Sequence, residues 1–206
     1  MSIRVKRLFD IVVSAAALVV LSPLLLLLCA AIVLDSGFPV FFAQQRVGRN
    51  FRRFRLWKFR SMRSSSSGPS ITIAGDARIT RLGRLLRNAK LDEIPQFWNV
   101  LRGEMSLVGP RPEVSEYVDA YRERYQNILA VRPGITDLAS ICFRNEEAIL
   151  AGSPDPLRDY RERILPIKLD LADKYVQSRS ILGDLSILVR TAIAIFWSKG
   201  SPAANK

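Results

Sequence analysis

From Ile11 to Leu34 the chain runs for 24 residues without a charge, bounded by Asp10 and Asp35, with Ser22-Pro23 near its middle. A run of that length is enough to cross a bilayer as a helix, and one transmembrane helix is the default reading. Two features argue against a simple span. Proline in a helix interior deletes a backbone hydrogen bond and bends the axis, and the Ser22 hydroxyl can satisfy a carbonyl so freed. Arg4, Lys6 and Arg7 precede the run, while seven arginines and Lys58 follow it between Arg46 and Arg63 without an intervening acid. Positive-inside bias then wants both ends on the cytoplasmic face. A helix that enters one leaflet, breaks at Ser22-Pro23 and returns satisfies both facts. A secretory signal fits poorly, because the run exceeds an h-region of about 7 to 15 residues and no small-x-small cleavage site follows. A lipoprotein reading of Cys29 fails on Leu28, which stands where a small residue is required.

The 206 residues leave room for one modest domain besides this segment. Lys and Arg number 31 against 19 Asp and Glu, a formal charge of +12. That excess predicts an anionic partner: nucleic acid, an acidic membrane surface or a phosphorylated substrate. Two cysteines give neither a disulfide framework nor metal-ligand spacing, and point to a reducing compartment. With no histidine in the chain, any chemistry rests on carboxylates, Lys, Ser, Cys or Tyr.

Within that constraint the stretch Lys90 to Pro112, KLDEIPQFWNVLRGEMSLVGPRP, concentrates the candidates. Pro95 fits only the first turn of a helix, which makes Asp92 an expected N-cap and puts Asp92 and Glu93 where the helix dipole favours ionised acids. An ordinary helix cap has the same appearance. The context adds cations on both sides: Arg78, Arg81, Arg84, Arg87 and Lys90 upstream, and Arg111 downstream in the rigid turn Gly109-Pro110-Arg111-Pro112. Such an arrangement suggests an anionic substrate bridged by a metal at Asp92 and Glu93. A solvated or headgroup-facing surface accounts for most of the upstream arginines, and Arg87, closest to the acids, is the candidate ligand among them.

The remaining pattern reads as α+β and mostly α. Strands are expected at Val40 to Gln45 and Phe54 to Phe59, joined by a turn around Val47 to Asn50. The aromatics and cations of this hairpin suit either stacked bases or anionic headgroups, and Lys58 and Arg60 stand near the strand end where they can reach the active site. Ser64 to Ser70 reads as a flexible loop. A helix capped by Asp76 is expected to run to about Asn88. Another runs from Glu113 to about Tyr125, with Val114, Tyr117, Val118, Tyr121 and Tyr125 on its core stripe. Arg132-Pro133-Gly134 is a turn, followed by an extended piece at Ile135 to Arg144 and helices at Glu146 to Leu150 and Leu165 to Gln177. Asp184 is expected to cap a last helix, with Leu185, Leu188, Val189, Ala192, Ile193 and Phe196 on one face and Trp197 near its end, covering the core or lying in the membrane interface. The tail from Lys199 reads as disordered. Expected boundaries are thus 1–36 for the re-entrant membrane helix, 37–198 for the catalytic domain and 199–206 for the tail.

Taken in order, Lys6-Arg7-x-x-Asp10, Ser22-Pro23, Lys58-Phe59-Arg60-Ser61-Met62, Leu91-Asp92-Glu93-x-Pro95-Gln96, Asn99-Val100-Leu101-x-Gly103, Met105-Ser106-x-Val108-Gly109-Pro110-Arg111-Pro112 and Arg132-Pro133-Gly134-Ile135-Thr136 resemble the small monotopic phosphoglycosyl transferases. These are bacterial sugar transferases that start glycoconjugate assembly on polyprenol phosphate. The likeness covers nearly the whole chain. It implies an enzyme on the cytoplasmic face of the bacterial inner membrane that moves a sugar-1-phosphate from a UDP-sugar to polyprenyl phosphate and releases UMP, with membrane lipid as a further partner and no nucleic acid. It also implies that Asp92 is the nucleophile and Glu93 assists, that Mg²⁺ is held at Asp92 and Glu93, and that Lys58, Arg60, Arg87, Gln96, Arg111 and Arg132 bind substrate. One departure stands out. The family usually continues Arg-Pro-Gly-x-Thr with Gly-x-x-Gln, and this chain has Asp137-Leu138-Ala139-Ser140. The rival readings are a membrane-tethered nucleic-acid-binding module built on the basic hairpin, which leaves the acid pair unexplained, and an inactive scaffold of a polysaccharide assembly complex.

The flanking charges yield a topological test. Single cysteines at positions 2 and 45, in a background lacking Cys29 and Cys142, should both be shielded from a membrane-impermeant thiol reagent applied to intact cells. Labelling of either from outside contradicts a re-entrant helix.

Overall fold

The computed structural model describes residues 3–63 and 72–197, so the serine-rich loop at Ser64 to Ser70 and the tail from Lys199 lie outside the described residues. The apolar run is divided into α1 (Ile3–Val20) and α2 (Ser22–Ser36). The two are bent by 61° across the break at Leu21. Pro23 lies in the first turn of α2 and has no N–H to offer the Val19 carbonyl four residues back. The Ser22 hydroxyl donates to that oxygen at 2.7 Å. Among the described residues no single helix is long and apolar enough to cross a membrane, and only the bent pair taken together meets that measure.

After α2 the chain forms an antiparallel hairpin, β1 (Phe41–Val47) and β2 (Arg53–Phe59), with Phe41 opposite Phe59 and Val47 opposite Arg53. Strand periodicity places Phe54, Leu56 and Lys58 on one face. Phe54 and Leu56 pack there with Val100 and Met105, so the pleat that buries two apolar residues also turns Lys58 inward.

Helix α3 (Arg81–Asn88) begins later than expected. Its cap is Thr80, whose Oγ1 accepts the Gly83 N–H at 2.9 Å, whereas Asp76 is held by the Arg78 guanidinium at 2.6 Å. The physical reason is a bridge between Met62 and Ile79 that keeps the backbone extended up to the cap. At Gly83 the helix lies against the chain leaving the hairpin, and a Cβ there would stand 2.0 Å from the Ser61 carbonyl oxygen. Helix α4 (Gln96–Leu101) is clamped to β2 by the buried Asn99, which accepts the Trp57 N–H at 3.1 Å and donates to the Arg55 carbonyl at 2.7 Å.

Strand β3 (Ser106–Val108) follows, then α5 (Ser115–Ala120) and α6 (Arg122–Ile128). The single helix expected over 113–125 is broken at Tyr121, where ψ reaches 35°. Its apolar stripe nonetheless holds, because Tyr117, Val118 and Tyr125 are buried and Val114 and Tyr121 pack against them. Strand β4 (Gly134–Thr136) pairs in parallel with β3, Ser106 opposite Gly134 and Val108 opposite Thr136. The extended piece expected over 135–144 holds only at this strand, because the Asp137 side chain caps a helix that begins at Leu138, and the pairing with β3 did not show in the sequence pattern. Short helices α7 (Leu138–Cys142), α8 (Glu146–Ala151) and α9 (Pro156–Asp159) lead through a π-helical stretch at Tyr160–Ile164 into α10 (Leu165–Ser178).

The last helix, α11 (Ile181–Trp197), starts before Asp184. Ser180 Oγ accepts the Gly183 N–H at 3.0 Å and is its cap. Asp184 is instead buried, accepting from Lys6 Nζ at 2.5 Å and from the Tyr175 hydroxyl at 2.9 Å. Of the expected apolar face, Leu188 packs inward, while Leu185, Val189 and Ile193 are half exposed and point away from the core.

The closest backbone approach supplies the test of this packing. Gly83→Ala should lose about 1–3 kcal/mol through overpacking, seen as a fall of roughly 5 °C in melting temperature. An unchanged melting temperature contradicts the contact between α3 and Ser61.

Candidate active site

The acid pair is presented by a backbone that sequence reasoning misplaced. Lys90 adopts the left-handed conformation at φ 57°, which for a residue with a Cβ costs on the order of 1–3 kcal/mol and is tolerated mainly at functional sites. It reverses the chain out of α3 into a 3₁₀ turn over Leu91–Glu93, and Pro95 then caps α4. Asp92 is therefore not an N-cap: it sits inside the preceding turn, its side chain makes no capping bond, and it is 4% exposed. Its Oδ1 atom is buried without a hydrogen-bond partner.

Glu93 is differently placed. Its Oε1 accepts from Arg111 Nη2 at 2.6 Å and from Lys58 Nζ at 3.0 Å. Three separate pieces of chain meet on one oxygen: the inner face of β2, the 3₁₀ turn and the Gly109-Pro110-Arg111-Pro112 loop. The two acids consequently titrate apart. Burial pushes the Asp92 carboxyl above the usual carboxylate range, Lys58 offsets this in part, and the neighbouring Glu93 charge adds to it. Burial alone would raise Glu93 too, but Arg111 and Lys58 outweigh it and hold Glu93 well below that range. In turn, the Glu93 charge raises the Arg111 guanidinium still further. The expectation that a helix dipole keeps both acids ionised is thus replaced by a split set by burial and by two cations.

Of the other expected ligands, Arg87 is paired with Glu147 on α8 and lies 3.9 Å from the Met62 sulfur. Gln96 is 2% exposed, and its Nε2 has no hydrogen-bond partner. Arg60 and Arg132 are not brought to the group. Arg60 donates to Ser36 Oγ at 2.9 Å and to the Gly37 carbonyl, fastening the end of α2. Arg132 Nε donates to the Gly103 carbonyl at 2.8 Å.

A cleft of about 640 Å³ opens beside this group. Glu93, Arg111, Arg87 and Lys90 line one part of it, and Leu21 and Leu24 bring the helix break to its edge. It also holds residues that the sequence reading did not single out. Glu113 accepts from Arg46 Nη1 at 3.1 Å and from the Tyr160 hydroxyl at 2.7 Å, and Lys168 pairs with Glu146. The one available signal was the position of Glu113 directly after Pro112. Asp92 is not among the residues lining the cleft.

The acid pair also bears on metal binding. Among the described residues no group of three or more acidic or sulfur side chains is placed to hold an ion. Two adjacent carboxylates, one carrying a buried oxygen without a partner, do fit a hard cation that takes one or two protein carboxylates and completes its shell with water and phosphate oxygens, as Mg²⁺ does.

Comparison with known proteins identifies the family. The family described as bacterial sugar transferase matches residues 1–198. The chain is 41% identical over 192 residues to the UDP-glucose:undecaprenyl-phosphate glucose-1-phosphate transferase of Caulobacter vibrioides, covering 90% of this chain and 67% of that protein. A protein of the same name from Klebsiella pneumoniae is 38% identical over 201 residues, covering 95% of this chain and 41% of that one. The exopolysaccharide production protein PSS of Rhizobium leguminosarum bv. phaseoli is 40% identical over 207 residues, covering 94% of this chain and 96% of its length. The chain therefore spans only part of the first two relatives.

The split titration predicts opposite effects on stability. Native Asp92 disfavours its ionised form, so at neutral pH its charge opposes folding, and the effect fades as pH falls to the ordinary aspartate value. Asp92→Asn should raise the melting temperature at pH 7, with the gain shrinking toward pH 4. Glu93 stabilises the fold above the ordinary glutamate value, and that contribution is lost as pH falls through its depressed native value. Glu93→Gln leaves two cations without their partner and should cost roughly 1–3 kcal/mol at pH 7. Scanning calorimetry that shows both variants destabilised equally contradicts the split.

Proposed function

This chain belongs to the bacterial sugar transferase family, and on that premise we propose that it transfers a sugar-1-phosphate from a UDP-sugar to polyprenyl phosphate, releasing UMP. The observation that carries the reading is the shared cleft, in which Glu93 and Arg111 stand with the leucines of the helix break. A charged phosphate site beside a membrane-seeking apolar edge suits two substrates, one soluble and one lipidic. The names of the Caulobacter and Klebsiella relatives point to the same pair of substrates.

In this mechanism an Asp92 carboxylate oxygen attacks the phosphorus that carries the sugar and breaks its bond to the bridging oxygen, so that UMP leaves. A phosphate oxygen of the polyprenyl phosphate then attacks the same phosphorus and breaks the acyl phosphate bond. The products are a polyprenyl diphosphate sugar and the free Asp92 carboxylate. Burial suits Asp92 to this role, because a poorly solvated carboxylate is a stronger nucleophile once ionised, and Lys58 favours the ionised form. Its 4% exposure requires the side chain to turn toward the cleft as donor binds. Arg111 is fixed by Glu93 and Asp137 rather than freely mobile, which pre-orients it toward phosphate oxygens. Arg87 contributes from the same cleft wall. A Mg²⁺ ion bound by Asp92 and Glu93 would supply charge neutralisation at the diphosphate.

The bent helix pair is read as re-entrant, with both ends on the cytoplasmic face of the inner membrane. The half-exposed Leu185, Val189 and Ile193 of α11 lie in the interface, and together these helices keep the cleft at headgroup depth. Lipid is then a partner as well as a substrate.

The reading is tested by turnover of a panel of UDP-sugars with undecaprenyl phosphate, following UMP and lipid-linked sugar together. Initial rates should give the parallel pattern of a double displacement, and UMP should exchange into the donor without lipid. Asp92→Asn should lose both turnover and exchange by at least about a thousandfold, whereas Glu93→Gln slows turnover and keeps measurable exchange. Below neutrality, kcat/KM should fall along a limb lying above the ordinary aspartate value. Strictly sequential kinetics contradict the covalent route, and no turnover of any nucleotide sugar contradicts the reaction.

A further inference from the structure

Asp137 follows the last residue of β4 and is 3% exposed. Its surroundings explain what it does here. Residues Gly109 to Pro112 contain two prolines, so Gly109 and Arg111 are the only backbone donors in the loop. Gly109 N–H donates to the Thr136 carbonyl at 3.1 Å, the last rung of the parallel pairing between β3 and β4. The loop then turns back on β4, where the Pro110 carbonyl accepts the Gly134 N–H at 3.0 Å, and this leaves the Arg111 N–H as the loop's remaining donor. The Asp137 side chain meets that donor: Oδ2 accepts the Arg111 N–H at 3.1 Å, while Oδ1 accepts the Ser140 N–H at 2.7 Å and caps α7. The loop cannot shift to compensate. Gly109 and Gly134 are in backbone contact, such that a Cβ on Gly134 would stand 2.1 Å from the Gly109 nitrogen.

We propose that Asp137 is a positioning residue that fixes the backbone of Arg111, and through it the guanidinium that meets Glu93 at 2.6 Å. One carboxylate thereby ties the phosphate-facing loop to the start of α7, whose Ala139, Ser140 and Ile141 line the same cleft. Donor shape at that wall and donor phosphate at Arg111 are coupled through a single side chain. The inference rests on the proposed transferase reading for its kinetic consequence, but its structural core does not.

Asp137→Ala, Asp137→Asn, Arg111→Ala and the Asp137→Ala/Arg111→Ala double variant are compared with the parent. Amide hydrogen exchange at residues 109–112 is expected to quicken at least about tenfold in Asp137→Ala, with the β1–β2 amides unchanged. Asp137→Asn, which keeps one acceptor oxygen, should fall between the two. In turnover, Asp137→Ala should lower kcat/KM for the donor about tenfold, because a small displacement of a positioning group is costly. The double variant should be no worse than Arg111→Ala alone. Unchanged exchange at 109–112 overturns the proposal, and so does a double variant whose losses simply multiply. A parent protein that turns over no nucleotide sugar overturns the transferase reading alone, since the exchange measurement still decides whether Asp137 holds the loop.

Discussion

One carboxylate oxygen, Oε1 of Glu93, receives both Arg111 and Lys58, and the arrangement of the site depends on it. Each cation arrives from an element with its own reason to be there. The pleat of β2 turns Lys58 toward the 3₁₀ turn, and the doubly proline-bound loop after β3 offers Arg111. Glu93 is the most enclosed of the three, and a buried charge without a partner is costly, so it must keep its cations. Their pairing leaves Asp92, one residue earlier, in the opposite condition. Asp92 is buried, one of its oxygens has no partner, and its pKa is pushed up. Two adjacent acids thus acquire different chemistry from a single difference in neighbours: one is fixed as an anchor and the other is held poised.

The anchor is in turn tied to the apolar helices. Asp10 of α1 accepts the Ser106 hydroxyl at 2.8 Å and the Leu107 N–H at 3.2 Å, which fastens α1 to β3. Arg7 donates to the Val100 and Leu101 carbonyls and satisfies the open end of α4. Lys6 reaches Asp184, and the Tyr175 hydroxyl contacts both Asp184 and the Val108 carbonyl, so α1, β3, α10 and α11 share one buried polar network. Lys6 and Arg7, ahead of the apolar run, are therefore structural ties.

Much of this was legible in the sequence. The hairpin follows from alternating apolar residues around Val47 to Asn50, and the bend follows from Ser22-Pro23, where the hydroxyl reaches the very carbonyl that proline abandons. Asp92, Glu93 and Arg111 stood out by the rarity of acids and by proline spacing. What failed has physical causes. Proline position alone suggested an N-cap at Asp92, but the left-handed Lys90 inserts a 3₁₀ turn that no propensity announces. Asp76 and Asp184 resembled caps because they precede helical periodicity, yet nearby Thr80 and Ser180 hold those ends while the acids pair with cations. Arg60 and Arg132 carry motif positions but satisfy backbone carbonyls, a use of arginine that sequence does not distinguish from ligand binding. The pairing of β3 with β4 joins three-residue strands whose pattern is too short to read.

The central claim is that environment divides the acid pair, leaving Asp92 to carry the sugar phosphate while Glu93 stays bound to its cations. The most direct measurement is peptide-level mass spectrometry of the enzyme after brief incubation with a UDP-sugar and Mg²⁺ and no lipid acceptor, quenched in acid. The account predicts a phosphosugar adduct on the peptide containing Asp92, localised to that residue and lost on addition of polyprenyl phosphate. An adduct localised to Glu93, or active enzyme that never accumulates one under these conditions, would contradict it.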